Sequence, residues 1–166
     1  EKGAKYIMIL NPDTIAEEDF IKPLISELKQ DPKLGMVSPK IVEDCFERKT
    51  WYAGGRMNWW MGGPKHNSDY PREYAEGTIP VSVVSGCAML LNAEAVRQVG
   101  YLDETYFLYF EDADYVQRFL RAGWGVGYFP KAEVLHRLSS VVGKKSEEYV
   151  YYLSRNRIWF MRRWSK

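Results

Sequence analysis

Short, unbroken apolar runs alternate along this chain with segments of helical period, and that alternation narrows the possible fold more than any other feature. The first run, Tyr6–Leu10, is apolar on both faces, as a central strand requires. Pro12, which has no N–H, stops it within Asn11-Pro12-Asp13. Gly35–Val42 forms a second run, interrupted by Pro39, and Trp51–Met57 a third. Val81–Leu91 opens with β-branched residues and predicts a buried strand. Gly125–Phe129 and Glu133–His136 predict two more, separated by Pro130.

Helical signals fill the intervals. Thr14-Ile-Ala-Glu17 matches a capping box and predicts a helix with Phe20, Leu24 and Leu28 on one face, ended by Asp31-Pro32. Asn92 caps a short helix over Ala93–Val99, and Gly100 closes it. Asp112–Ala122 is a third helix, with Gly123 at its end, and Ser146 to about Trp164 a fourth. Asn58–Pro80 has no clean period and is expected as a long excursion, and Ser139–Lys145 as a polar connection. The order predicts an α/β domain whose mixed, mostly parallel sheet is flanked by helices. Ligands of such sheets bind beyond the carboxyl ends of strands, which makes Asn11–Asp13 and Ser85-Gly86 candidates for that rim.

Composition sets limits. The 166 residues fit one ordinary domain, and 46% hydrophobic residues can build its core. A formal charge of +1 offers no broad footprint for nucleic acid. No apolar run approaches the roughly 18–20 residues of a membrane-spanning helix. Cys45 and Cys87 are too far apart in sequence to suggest a disulfide framework or a zinc spacing, and are expected as reduced, buried thiols in a cytosolic protein. Aromatics reach 15%, with 6 Trp and 12 Tyr. Trp51, Trp59, Trp60 and Tyr70 could stack on a sugar or equally cover the core or a subunit contact.

Several residue groups suit chemistry. Asp13 ends an apolar strand, where a carboxylate can hold a hard divalent cation; the same position suits a helix cap. Glu111, Asp112 and Asp114 crowd one helix start, where acids also simply oppose the helix dipole. Asp112 shares its face with Val116 and Phe119, so it lies on the apolar side and can serve as a base toward a hydroxyl. His136 follows Val134-Leu135 as either a structural residue or a ligand, and His66 has no stronger claim. The last helix carries Tyr149, Tyr151, Tyr152, Arg155, Arg157, Trp159, Arg162 and Arg163, which fits packing on the domain or contact with an anionic membrane surface.

In their order along the chain these pieces resemble the family 2 glycosyltransferases, in particular the rhamnosyltransferase-like branch. Tyr6-Ile-Met-Ile-Leu-Asn-Pro-Asp-Thr14 is similar to that family's variant DxD strand end. Ser85-Gly-Cys-Ala-Met-Leu-Leu91, Val99-Gly-Tyr-Leu-Asp-Glu104, Tyr109-Phe-Glu-Asp-Ala-Asp-Tyr115 and Arg118 resemble its acceptor-side block. Gly123-Trp124, Pro130-Lys-Ala132, His136 and Tyr152-Leu-Ser-Arg-Asn156 continue the likeness. The resemblance implies a GT-A fold and an inverting transfer from a nucleotide sugar, such as dTDP-rhamnose, to a hydroxyl of a glycan or lipid-linked acceptor. It implies a divalent metal, Mg²⁺ or Mn²⁺, at Asp13 with His136, donor contacts at Asn11 and Asp13, and Asp112 as base with Glu111 as the alternative. Acceptor contacts are expected at Gly86, Trp51, Asp114 and Arg118. Asn11 departs from the pattern, because it stands where the motif has its first acid.

The same resemblance implies that the family's nucleotide-binding half precedes Tyr6, so the chain is expected to be an acceptor-side part over 1–145 with a helix over 146–166, and inactive alone. A non-catalytic carbohydrate-binding or membrane-associated assembly module is the alternative. The expected setting is cytoplasmic, with peripheral contact at the inner face of the membrane, no nucleic-acid partner, and self-association through exposed sheet edge. All of this requires that residues 13, 112 and 136 meet at one cleft.

Overall fold

A computed structural model describes residues 3–68, 76–137 and 146–165; Tyr70 and the connection over 139–145 lie outside the described residues. The chain runs β1 (Tyr6–Leu10), β2 (Thr14–Ile15), α1 (Ile21–Gln30), β3 (Leu34–Glu43), β4 (Thr50–Tyr52), β5 (Gly55–Asn58), β6 (Gly63–His66), β7 (Ile79–Pro80), β8 (Ala88–Asn92), α2 (Ala93–Val99), α3 (Glu111–Arg121), β9 (Gly125–His136) and α4 (Glu147–Trp164). The main sheet has the order β1-β8-β3-β9-β2, with β4 on β3 and β7 on β9, while β5 and β6 form a separate hairpin.

The α/β class and the mixed sheet match expectation, but parallel pairing is scarcer than expected. Among the described residues it joins β3 to β9, and the other pairings are antiparallel. Helical connections do keep β1, β3 and β9 running the same way. β8, which precedes β9 in the chain, is inserted between β1 and β3, opposed to both. Alternation in sequence reports strand direction across a helix; it does not report which strand is inserted between two others.

Three further differences have local causes. The helix expected after Thr14-Ile-Ala-Glu17 forms, with Phe20, Leu24 and Leu28 in one core, but that segment does not cap it: Thr14 and Ile15 pair with His136 and Leu135, and α1 starts at Ile21 without a side-chain cap. The tertiary ladder satisfies backbone groups that a helix start would have left open. The Trp51–Met57 run divides into β4 and β5 at Gly54, whose φ of 77° suits glycine. The two strands expected around Pro130 are one strand, β9, with Phe129 opposite Pro39 and Glu133 opposite Lys40. Both prolines fall at this register shift, where a missing N–H costs the ladder least.

Both faces of the sheet are covered. Leu24 and Leu28 of α1 pack with Val37, Ile41, Leu90 and Tyr128 on one side. Val96 of α2 and Tyr115, Val116 and Phe119 of α3 pack with Met36, Met89 and Leu91 on the other. Alternate residues of β3 and β8 therefore enter opposite cores. Gly35 admits this packing, since a Cβ there would lie 2.8 Å from Phe119 Cδ1. The expected caps of α2 hold: Asn92 accepts from Glu94 N–H, and Gly100 takes φ 87°. Phe160 of α4 is fully buried beside Met57, Tyr106 and Phe110, which docks the helix on the domain.

Candidate active site

The co-directed strands bring their carboxyl ends to one rim. β1 ends at Leu10, and Asn11 N–H donates to Cys87 O, which extends its ladder by one residue. Thr14 Oγ1 donates to Asn11 O at 2.7 Å and closes the turn. β2 then pairs with the end of β9, and Arg137 N–H donates to Asp13 O at 2.8 Å. That ladder seats Asp13 beside His136, with Oδ2 and Nε2 3.3 Å apart. Nδ1 of His136 is buried and has no hydrogen-bond partner among the described residues. Trp51 on β4 stands edge-on to both His136 and His66, each centroid 5.2 Å away.

The opposite wall is the start of α3. Gly86 N–H donates to Asp112 Oδ2 at 2.9 Å, and Ala113 N–H to Oδ1 at 2.7 Å. Burial raises the Asp112 carboxyl above its usual range, while the two N–H donors and nearby His66 favour the anion. Glu111 lies alongside with a buried Oε2 that has no hydrogen-bond partner among the described residues. Burial, and next the Asp112 charge, push Glu111 up to about 7. The two carboxyls are unequally placed: Asp112 receives two N–H donors that favour ionisation, and Glu111 Oε2 receives none among the described residues.

Asn11, Trp51, His66, Gly86, Glu111, Asp112, His136 and Arg157 line one cleft of about 490 Å³. The acid at 112, the imidazole at 136 and residue 13 thus gather at one place. Asp114 and Arg118, expected on the acceptor side, are not brought there. Two residues along a helix are about 200° apart, so Asp114 faces away from Asp112. Asp114 is fully buried, accepts from Arg118 Nε at 2.9 Å and from Trp164 Nε1 at 2.8 Å, and pairs with Arg163 at 3.2 Å. Arg118 also donates to the carbonyls of Val99 and Tyr101. Both residues tie α3 to α4 and to the loop after α2.

Of the aromatics, Trp59 stacks on Phe160 and Trp60 is exposed, so neither enters the cleft. Cys87 lines the cleft with a thiol that burial pushes up to about 12, whereas Cys45 is exposed, contrary to expectation. His66 and Arg157 were the residues least legible in sequence. His66 reaches the cleft only because β5 and β6 form a hairpin, and nothing in the Gly- and Pro-rich 58–80 segment marks that pairing. Burial lowers the His66 imidazole below its usual value.

Among the described residues no group of three or more His, Cys, Asp or Glu could hold a metal ion. Asp13 and His136 nevertheless suit a cation that takes one or two protein ligands and completes its shell with substrate oxygens and water. The two side chains already face each other through Asp13 Oδ2 and His136 Nε2.

Over 150 residues the chain is 28% identical to an N-acetylglucosaminyl-diphospho-decaprenol L-rhamnosyltransferase of Mycobacterium tuberculosis, found in strains CDC 1551 / Oshkosh and ATCC 25618 / H37Rv, covering 84% of this chain and 49% of that protein. Over 166 residues it is 23% identical to the low-salt glycan biosynthesis hexosyltransferase Agl10 of Haloferax volcanii, covering 95% of this chain and 50% of that one. The chain thus spans about half the length of the curated relatives it matches. A crystal structure of GalNAc-T7 with UDP, GalNAc and Mn²⁺ superposes with a TM-score of 0.65 at 16% identity, covering 90% of this chain and 31% of that one. That likeness is one of fold, and the fold is GT-A. The description "Glycosyl transferase family group 2" matches residues 6–166, so the chain belongs to that family.

Proposed function

We propose that this chain is the acceptor-side part of an inverting glycosyltransferase that moves a sugar from a nucleotide-diphosphate donor to a hydroxyl of a glycan or lipid-linked acceptor. One observation carries the reading: His136, which contacts Asp13 at 3.3 Å, borders the same cleft as the Glu111–Asp112 pair. The relatives' names, a rhamnosyltransferase on a diphospho-decaprenol acceptor and a hexosyltransferase, support this substrate class, with dTDP-rhamnose as the proposed donor.

Asp112 is the proposed base. Its carboxylate is oriented by the Gly86 and Ala113 N–H groups, which favour the ionised form a base requires. An acceptor hydroxyl is a weak nucleophile, so Asp112 takes its proton as the oxygen bonds to the anomeric carbon. The bond from that carbon to the diphosphate breaks as the new one forms, and in-line displacement inverts the centre. A divalent cation, Mg²⁺ or Mn²⁺, held by Asp13 and His136 would offset the charge that develops on the leaving diphosphate. Asn11 is assigned to donor contact, and Gly86 and Trp51 to acceptor contact; all three line the cleft. Because the 166 residues span about half the length of the curated relatives, they are expected not to turn over alone.

In the full-length protein, Asp112→Asn should lower transfer by roughly 10²–10⁴-fold. Asp13→Ala should weaken donor use in a manner dependent on Mn²⁺ concentration. Wild-type turnover in both variants would remove this assignment.

A peripheral membrane role is compatible with the same enzyme. No helix among the described residues is long and apolar enough to cross a membrane. On α4, however, Tyr151, Ile158 and Trp159 are exposed, as are Trp60 and Met61 of the β5–β6 turn, with Arg157 and Arg162 nearby in sequence. Aromatic and basic side chains together suit the interface of an anionic bilayer. Co-sedimentation with anionic but not neutral vesicles, lost on Ile158→Glu/Trp159→Glu, would support it; equal recovery with both kinds of vesicle would oppose it.

A further inference from the structure

The loop before α3 holds an unusual backbone. Phe107, Tyr109 and Phe110 take φ of 61°, 66° and 71°, in the left-handed region that bulky residues avoid. Phe110 is the N-cap of α3 and supplies no side-chain cap. The next two residues are Glu111 and Asp112. A backbone so disfavoured persists only where its surroundings over-determine it.

One buried side chain supplies that constraint. Asn156 on α4 is fully buried, and its Nδ2 donates to the carbonyls of Tyr106 at 2.8 Å, Leu108 at 2.7 Å and Tyr109 at 2.8 Å. Its Oδ1 accepts from Arg155 Nε at 2.9 Å. Arg155 Nη2 in turn donates to the carbonyls of Thr105 at 2.9 Å and Tyr106 at 3.0 Å. Asn156 thus supplies a donor to Leu108 O and Tyr109 O, while Tyr106 O also accepts from the Leu108 N–H at 2.7 Å. The same helix reaches the far side of α3 through Trp164 and Arg163 on Asp114. The first turn of α3 is thereby gripped from both faces by one element.

We propose that Asn156, supported by Arg155, is a positioning residue for the reaction: by holding the 105–110 loop in its left-handed course, it fixes the first turn of α3 so that Asp112 meets the Gly86 N–H and faces the cleft. This rests on the reading of Asp112 as the base. Asn156 has no hydrogen bond to Asp112, Glu111, Asp13 or His136 among the described residues; its bonds go to the backbone carbonyls of Tyr106, Leu108 and Tyr109, the last two of which line the cleft.

The test is a double-mutant cycle in the full-length enzyme. Asn156→Ala should lower kcat by roughly 10²-fold and leave the donor KM within about threefold. Because Asn156 acts through Asp112, Asn156→Ala should add little to the loss already caused by Asp112→Asn, less than about threefold in kcat. A role confined to stability would instead multiply the two losses, or would vanish when both proteins are assayed well below their melting temperatures. Either result overturns the proposal. If Asn156→Ala does not fold, Arg155→Ala removes two of the carbonyl bonds and carries the same cycle with a loss nearer tenfold. Wild-type activity of Asp112→Asn would sink the function reading itself, whereas an inactive Asp112→Asn beside a fully active Asn156→Ala would sink the positioning role alone.

Discussion

Replacing Glu111 by Gln isolates the electrostatics of the cleft. Glu111 rises from 4.5 to about 7, first because burial disfavours its anion and second because Asp112 lies beside it. The unfolded chain releases this proton near the ordinary carboxylate value. Between about pH 4.5 and 7 the folded protein therefore holds a proton that the unfolded chain has lost, and stability falls as pH rises through that window. A displacement of this size corresponds to roughly 3 kcal/mol. Glu111 is only half-buried, so solvent screening brings the expected value to about 2 kcal/mol. Gln copies the shape of the protonated acid and never ionises. Glu111→Gln should match wild type near pH 4.5 and exceed it by about 2 kcal/mol at pH 8. Urea unfolding at a series of pH values measures both curves. If they run parallel from pH 4.5 to 8, Glu111 does not carry the raised proton affinity.

Three further outcomes are expected. Asp114→Asn leaves Arg118 without its buried partner and should cost about 3 kcal/mol, read as a fall in Tm, while the cleft groups keep their places. Gly35→Ala drives a methyl to 2.8 Å from Phe119 Cδ1 and should cost about 1–3 kcal/mol in urea unfolding. His136→Ala should raise the Mn²⁺ concentration for half-maximal transfer by the full-length protein by roughly tenfold or more, and an unchanged metal requirement would exclude it as a ligand.

Local signals in the sequence determined a good share of this protein. The apolar run at Tyr6–Leu10, the Asn92 cap with its Gly100 stop, and the 146–164 helix each depend on near neighbours, and each is found where the pattern puts it. The face shared by Asp112, Val116 and Phe119 follows from helical spacing alone, which is why Asp112 was separable from its acidic neighbours. Distance along the chain hid the rest. Thr14-Ile-Ala-Glu17 has the letters of a helix start, but pairing with His136, far away in sequence, made it a strand and set Asp13 beside that imidazole. Asp114 and Arg118 share a motif with Asp112, yet the helix turns them toward α4 and away from the cleft. His66 had no sequence signal at all until the β5–β6 hairpin carried it to the cleft wall. Periodicity and capping act over a few residues and can be read in order; which strand pairs with which, and what a helix face then meets, is fixed by burial of the whole sheet, a property that no short window of sequence contains.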